Sequence, residues 1–152
     1  MAEVVSFRIW PPIAIGLPLV VGEATTLLAG DPVSLPSARV PAGLVLLAAF
    51  SVWNGWALLL FGSHRTGLLP GQATSTLMVR GPFALSRNPL YVGLLVLYLG
   101  LCLLLPTFWG LVLAPLAVAL VDWGAIRPEE RFLRERFGAA YDAYAREVPR
   151  WL

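Results

Sequence analysis

The chain contains no lysine; all 11 of its basic residues are arginine, set against 9 acidic ones for a formal net charge of +2. A charge that small and that dispersed excludes a basic nucleic-acid-binding surface. Charge of either sign is scarce, at 13% of residues, about half the usual share in a soluble domain. Cysteine occurs once, as Cys102 within an apolar run. It has no partner for an internal disulfide and no metal-ligand spacing around it. A disulfide scaffold and a metal centre are therefore excluded, and the thiol reads as a small buried apolar group. Histidine also occurs once. His64, beside Arg65, reads as a helix-end cap or a solvated side chain rather than a catalytic base. The first residues lack a signal-peptide pattern, because Glu3 and Arg8 balance and Pro11-Pro12 interrupts ahead of the apolar run. Arg150-Trp151-Leu152 holds no prenylation box, so the chain is not expected to be a prenylated substrate itself.

Apolar residues are abundant, at 58% of 152. The length suits one domain, 1–152, and the composition is too greasy for a soluble one. The expected fold class is an all-α, polytopic membrane protein with four transmembrane helices, at about 12–28, 40–61, 90–105 and 107–121. Glu23, toward the far end of the first, reads as solvated near the headgroups, or else as a polar contact inside the bundle. Gly30-Asp31-Pro32 marks a short connection, so the first two helices should be neighbours. Trp53, Asn54 and Trp56 read as core or interfacial-belt residues of the second. Residues 62–88 form a loop long enough to be functional. Residues 90–121 carry no charge. As one helix they would run roughly 48 Å at about 1.5 Å per residue, more than a ~30 Å hydrocarbon core. Pro106 divides them, which predicts a tight helical hairpin.

After Asp122-Trp123 the character changes to an arginine- and acid-rich tail. Pro128 suits a first helical turn, and Glu129-Glu130 suit its positive dipole end. Glu130/Arg134, Arg131/Glu135 and Asp142/Arg146 have i,i+4 spacing. An apolar stripe from Phe132 to Tyr144, a bend at Gly138 and a stop at Pro149 predict an amphipathic helix pair at a membrane face. With four crossings, Arg8, Arg65, Arg80, Arg87, Arg127, Arg131, Arg134, Arg136, Arg146 and Arg150 share one side, and Arg39 alone occupies the other. The richer side is expected in the cytosol. The hairpin then brings Arg87, Asn88 and Tyr91 near Arg127, Glu129 and Glu130, as a polar pocket open to the cytosol with lipid on its flank.

Two motifs carry a family resemblance. Gly81-Pro82-Phe83 with Ser86-Arg87-Asn88-Pro89-Leu90-Tyr91-Val92-Gly93 resembles the first signature of the isoprenylcysteine carboxyl methyltransferase and phospholipid methyltransferase superfamily. Glu129-Glu130-Arg131-Phe132-Leu133, Phe137-Gly138, Tyr141, Tyr144 and Val148-Pro149 resemble its second. The resemblance covers roughly 77–151 and implies a membrane methyltransferase of prokaryotic type using S-adenosylmethionine, with its site-forming segments at 75–93 and 125–151. It implies cofactor contacts from Leu77 and Met78 (with Ser75 and Thr76 adjoining), Phe83, Asn88, Pro89, Leu90, Tyr91, Glu129 and Glu130. Asn88 stands where the eukaryotic carboxyl methyltransferases have histidine, Phe83 where they have tyrosine, and Ala125 where they have an arginine linked to substrate. Asn88 can hydrogen-bond but cannot titrate.

The catalytic candidates are Arg87, Arg127 and Glu130. A carboxylate acceptor needs no base, whereas an amine would need Glu130 or water to take its proton. The implied partners are membrane lipid and a lipophilic or lipid-modified acceptor; neither a metal nor a nucleic acid is expected. The implied reaction resembles isoprenylcysteine carboxyl O-methylation. Phospholipid amine N-methylation and a non-catalytic membrane scaffold are the alternatives. The expected location is a prokaryotic inner or plasma membrane, with the site facing the cytosol.

Overall fold

The computed structural model describes residues 6–63 and 77–152, and among them every regular element is helical. Prolines set most of the boundaries. Helix α1, Pro11–Ala29, opens on two prolines whose missing N–H groups have no helical partner to lose at that position. It ends at Gly30, in a positive-φ conformation (73°), whose N–H returns to Thr26 O at 2.9 Å. Helix α2 is Arg39–Ser63. A 3-10 turn, Gly81–Ala84, precedes α3, Pro89–Leu104, which again begins on a proline. His64, Arg65, Ser75 and Thr76 lie outside the described residues.

The hairpin break falls at Pro106 as expected, and Thr107 starts the return by accepting a 2.9 Å hydrogen bond from Gly110 N. The return arm, however, is not one helix. It is divided into α4, Phe108–Val112, and α5, Ala114–Val121. Pro115 lies at the junction and offers no N–H to the preceding turn. A five-residue π-helical turn, Asp122–Ile126, then leads into α6, Arg127–Phe137. Gly138, at φ 51°, makes the predicted bend into α7, Ala139–Glu147.

Helices α1 and α2, with 19 and 22 residues in their apolar stretches, are long and apolar enough to cross a membrane. Their outer faces carry exposed Leu17, Val20, Leu28, Leu44, Val45, Val52 and Leu59, which suits contact with lipid tails. Helix α3 is apolar but has 16 residues, and the divided return arm is shorter still in each part. Two candidate spans are therefore found among the described residues, where four were expected.

Helix α2 packs mainly on α3, and α1 on α4 and α5. A Cβ on Gly22 would stand 2.5 Å from the backbone of Gly110, so α1 and α4 cross in direct backbone contact. Cys102 is fully buried beside Tyr98 and Ala117, as read from the sequence. Glu23 departs from its solvated reading: one carboxylate oxygen, Oε2, is buried without a hydrogen-bond partner. Away from the site, Asp31 accepts from Thr26 Oγ1 at 2.8 Å and from Phe108 N at 3.1 Å, and Arg39 caps α3 through Leu103 O at 3.0 Å. These bonds fix one end of the bundle and leave the opposite end to the two motifs.

Candidate active site

The first motif is built around close backbone approaches. Gly81 has φ 62°, and a Cβ there would stand 2.5 Å from Leu60 Cδ1, so the turn sits directly under α2. Phe83 and Met78 are buried against Ala57, with Leu90 packed beside them. Tyr144 Oη donates 2.6 Å to Phe83 O, tying the turn to α7. Leu77 joins a second cluster made by Tyr141, Tyr144 and Val148. Pro89 O accepts from Trp53 Nε1 at 2.7 Å, which fixes the start of α3 against α2.

Residues 86–88 are bonded to the end of the chain. Ser86 Oγ and Asn88 Nδ2 both donate to Arg150 O, at 3.2 and 3.0 Å, and Arg87 N donates to Pro149 O at 2.9 Å. Asn88 is buried, and its own N–H donates to Ser86 Oγ at 3.1 Å. The Asn88 amide thus anchors the C-terminal segment.

The acidic pair is split between two environments. Tyr91 Oη donates 2.7 Å to Glu129 Oε2, joining α3 to the first turn of α6. Glu130 is buried and held by Arg150, through Nη2 at 2.7 Å and Nε at 3.2 Å, and by Arg87 Nη1 at 3.5 Å. Arg150 Nη1 also reaches Asp122 Oδ1 at 3.2 Å, and Arg127 Nε reaches Asp122 Oδ2 at 2.7 Å. Five charged groups therefore form one chain: Arg127, Asp122, Arg150, Glu130 and Arg87. Glu129 stands outside it and has no ion pair among the described residues. Burial pushes the Glu129 carboxyl above the usual carboxylate range; the Tyr91 hydrogen bond opposes this, and the neighbouring Glu130 charge adds to it.

Beneath the pair lies Tyr141, almost fully buried, whose hydroxyl has no hydrogen-bond partner; the Arg87 Nε is in the same condition. Burial and the Glu130 charge push the Tyr141 phenol up, against the pull of Arg87. On the other side of α7 an open groove of about 470 Å³ is lined by Val79, Ala84, Ala140, Ala143, Tyr144, Glu147 and Val148.

Of the residues singled out in the sequence, the structure brings Tyr91 to Glu129, Arg87 to Glu130, and Met78, Phe83 and Leu90 to one apolar wall. Arg127 sits at the outer end of the charged chain, with its side chain 58% exposed. The i,i+4 pairs are replaced by tertiary ones: Arg134 Nε bonds Asp142 across the α6–α7 bend at 2.8 Å, and Glu130 takes Arg150. Arg150, Asp122, Ser86 and the hydroxyl of Tyr144 were not anticipated. The Val148-Pro149 pair preceding Arg150 was the one available signal.

Residues 38–140 match the model of the phospholipid methyltransferase family. The chain is also 37% identical over 81 residues to the cobalt-zinc-cadmium resistance protein CzcN of Cupriavidus metallidurans, an alignment spanning 53% of this chain and 37% of that protein's length. No solved structure gives a significant match. The family match covers both arms of the hairpin, the Tyr91–Glu129 contact and the acidic pair. The chain belongs to the phospholipid methyltransferase family.

Proposed function

We propose that the protein transfers a methyl group from S-adenosylmethionine to a lipophilic acceptor at the cytosolic membrane face, with α3 and the α4–α5 arm as its third and fourth crossings. The observation that carries this reading is Glu129. It is a half-buried carboxylate with a neutral hydrogen-bond partner and no cation among the described residues, beside a second carboxylate already paired with two arginines. Such a group is matched by a cationic ligand. When bound, S-adenosylmethionine supplies an electrophilic methyl group on a positively charged sulfonium.

Glu129 and Tyr91 would hold the cationic part of this cofactor, with Leu77, Met78, Phe83 and Leu90 as apolar walls and the Asn88-Pro89 backbone as an edge. Glu130, engaged by Arg150 and Arg87, serves the architecture. The enzyme's contribution is alignment and exclusion of water around the reacting groups.

A carboxylate acceptor, as in isoprenylcysteine O-methylation, needs no base. A second reading, methylation of a lipid amine, is favoured by the raised affinity of Glu129 for a proton, which suits it to accept the one an ammonium must lose before it can attack. Calorimetric titration of S-adenosylmethionine into detergent-purified protein tests the enzyme class: no heat of binding would leave a membrane scaffold as the reading. Methyl-labelled cofactor added to native membranes separates the acceptors. Base-labile label identifies an ester, and base-stable label in lipid headgroups identifies an amine.

A further inference from the structure

We infer that Arg150 is a positioning residue for cofactor binding, acting through Glu130 to keep Glu129 in register with Tyr91. This rests on the methyltransferase reading above and adds a residue that lies beyond the family match, which ends at 140. Arg150 follows α7 two residues after Val148, whose backbone is extended (φ −114°, ψ 128°). Its carbonyl takes the Ser86 and Asn88 side chains of the first motif. Its guanidinium grips Glu130 with two nitrogens and Asp122 with the third. One residue thus binds both motifs.

The two acids it grips flank the π-helical turn, Asp122 at its first residue and Glu130 one helical turn beyond its end, in α6. A π-helical turn contains one residue more than the α-helical turn it replaces. If it relaxes to α-helix, everything after it rotates by about 100°, the angle per residue of an α-helix. Glu129 would then leave Tyr91. Clamping Asp122 and Glu130 to a single guanidinium sets the distance across the turn and opposes that slip. The same contact, with Arg87, neutralises Glu130, so the negative charge left for a cationic ligand is that of Glu129.

The test is titration of S-adenosylmethionine into detergent-purified full-length variants, with thermal unfolding measured in parallel. Arg150→Ala is expected to weaken binding by about tenfold or more, the scale of a lost charge-assisted contact. Arg150→Lys keeps the charge but not the fork, and should recover part of the loss. Arg39→Ala, which removes the cap at the opposite end of α3, should lower the unfolding temperature and leave affinity unchanged.

Action through Glu130 is read from a double-mutant cycle: Arg150→Ala should cost much less in a Glu130→Gln background than in the wild type. If Arg150→Ala does not fold, Arg150→Lys takes its place in the cycle. Wild-type affinity in the Arg150 variants, or fully additive losses with Glu130→Gln, overturns the inference while leaving the methyltransferase reading intact. Absence of binding in the wild type removes both.

Discussion

The Tyr91 hydroxyl, in the first turn of α3, donates a 2.7 Å hydrogen bond to Oε2 of Glu129, in the first turn of α6. This contact closes the hairpin at the site end. Its partner is neutral, so it orients the carboxylate without satisfying its charge. Glu130, one residue on, is satisfied completely by Arg150 and Arg87. Adjacent residues of identical chemistry therefore stand in different surroundings: Glu130 between two arginines, and Glu129 on a neutral hydroxyl with no ion pair among the described residues.

Glu129→Gln should separate affinity from stability. The glutamine carbonyl can still accept from Tyr91, so the α3–α6 contact survives. The charge is lost, and a hydrogen bond to a charged group is worth about 1.5–3 kcal/mol, or roughly 10- to 150-fold in affinity for S-adenosylmethionine. The apo protein should unfold at the same or a higher temperature, because a carboxylate whose charged form is disfavoured by partial burial has been removed. Calorimetry and thermal unfolding on one preparation check both; unchanged affinity would remove Glu129 from the site.

The raised Glu129 pKa predicts opposite pH trends for stability and for binding. In the unfolded chain this carboxyl ionises at its ordinary value; in the folded protein it holds its proton to higher pH. Between those two values the native state binds more protons, so its apo stability falls as pH rises through the window. Cofactor affinity does the reverse: it rises with pH as Glu129 ionises, along a limb lying above the usual carboxylate range. Tyr91→Phe removes the bond that favours the ionised form, and should move that limb to still higher pH. Titration across the acid range measures the limb, and a limb unaffected by Glu129→Gln would assign it to another group.

How far the sequence reveals this arrangement differs from residue to residue. Proline boundaries are legible because they follow from a missing N–H: α3 was expected at 90–105 and spans Pro89–Leu104. The meeting of Tyr91 with Glu129 is legible because an uncharged hairpin must return its two ends to one face. The break at Pro115 was not anticipated, although its missing N–H marks it in the same way as Pro106 in the same run. The π-helical turn leaves no periodic trace in five residues. Arg150 lies 20 residues from Glu130 and 62 from Asn88, and no local pattern reports so distant a contact. The i,i+4 pairs failed for an energetic reason. Each is worth a few tenths of a kcal/mol, too little to hold Glu130 away from the two-pronged guanidinium of Arg150.

Arg127, one of the catalytic candidates, should prove dispensable. It is the exposed end of the charged chain, and its partner Asp122 keeps Arg150 when Arg127 is removed. Exposed ion pairs contribute at most about 1 kcal/mol. Arg127→Ala should therefore change S-adenosylmethionine affinity by no more than about twofold, and methyl transfer to native membranes should persist. A loss approaching that expected for Arg150→Ala would return Arg127 to the site.

The crossing of α1 and α4 sets how rigidly the π-helical turn is held from the other side. Arg8 N and Ile9 N, just ahead of α1, donate to Gly124 O at 2.9 and 3.2 Å, and a Cβ on Gly124 would stand 2.7 Å from Ile9 Cβ. A change that tilts α1 therefore reaches the turn that orients Glu129. Gly22→Ala places a methyl 2.5 Å from the Gly110 backbone, where no side chain can rotate away. Overpacking of this kind costs about 1–3 kcal/mol. The expected result is a lower unfolding temperature together with weaker S-adenosylmethionine binding. Gly16→Ala, on the same helix with nothing within 4 Å of the new methyl, is the matched control. It exchanges a helical glycine for the better helix former and should be neutral or stabilising by up to about 1 kcal/mol. Equal unfolding temperatures for the two variants would mean that α1 and α4 do not cross at these glycines.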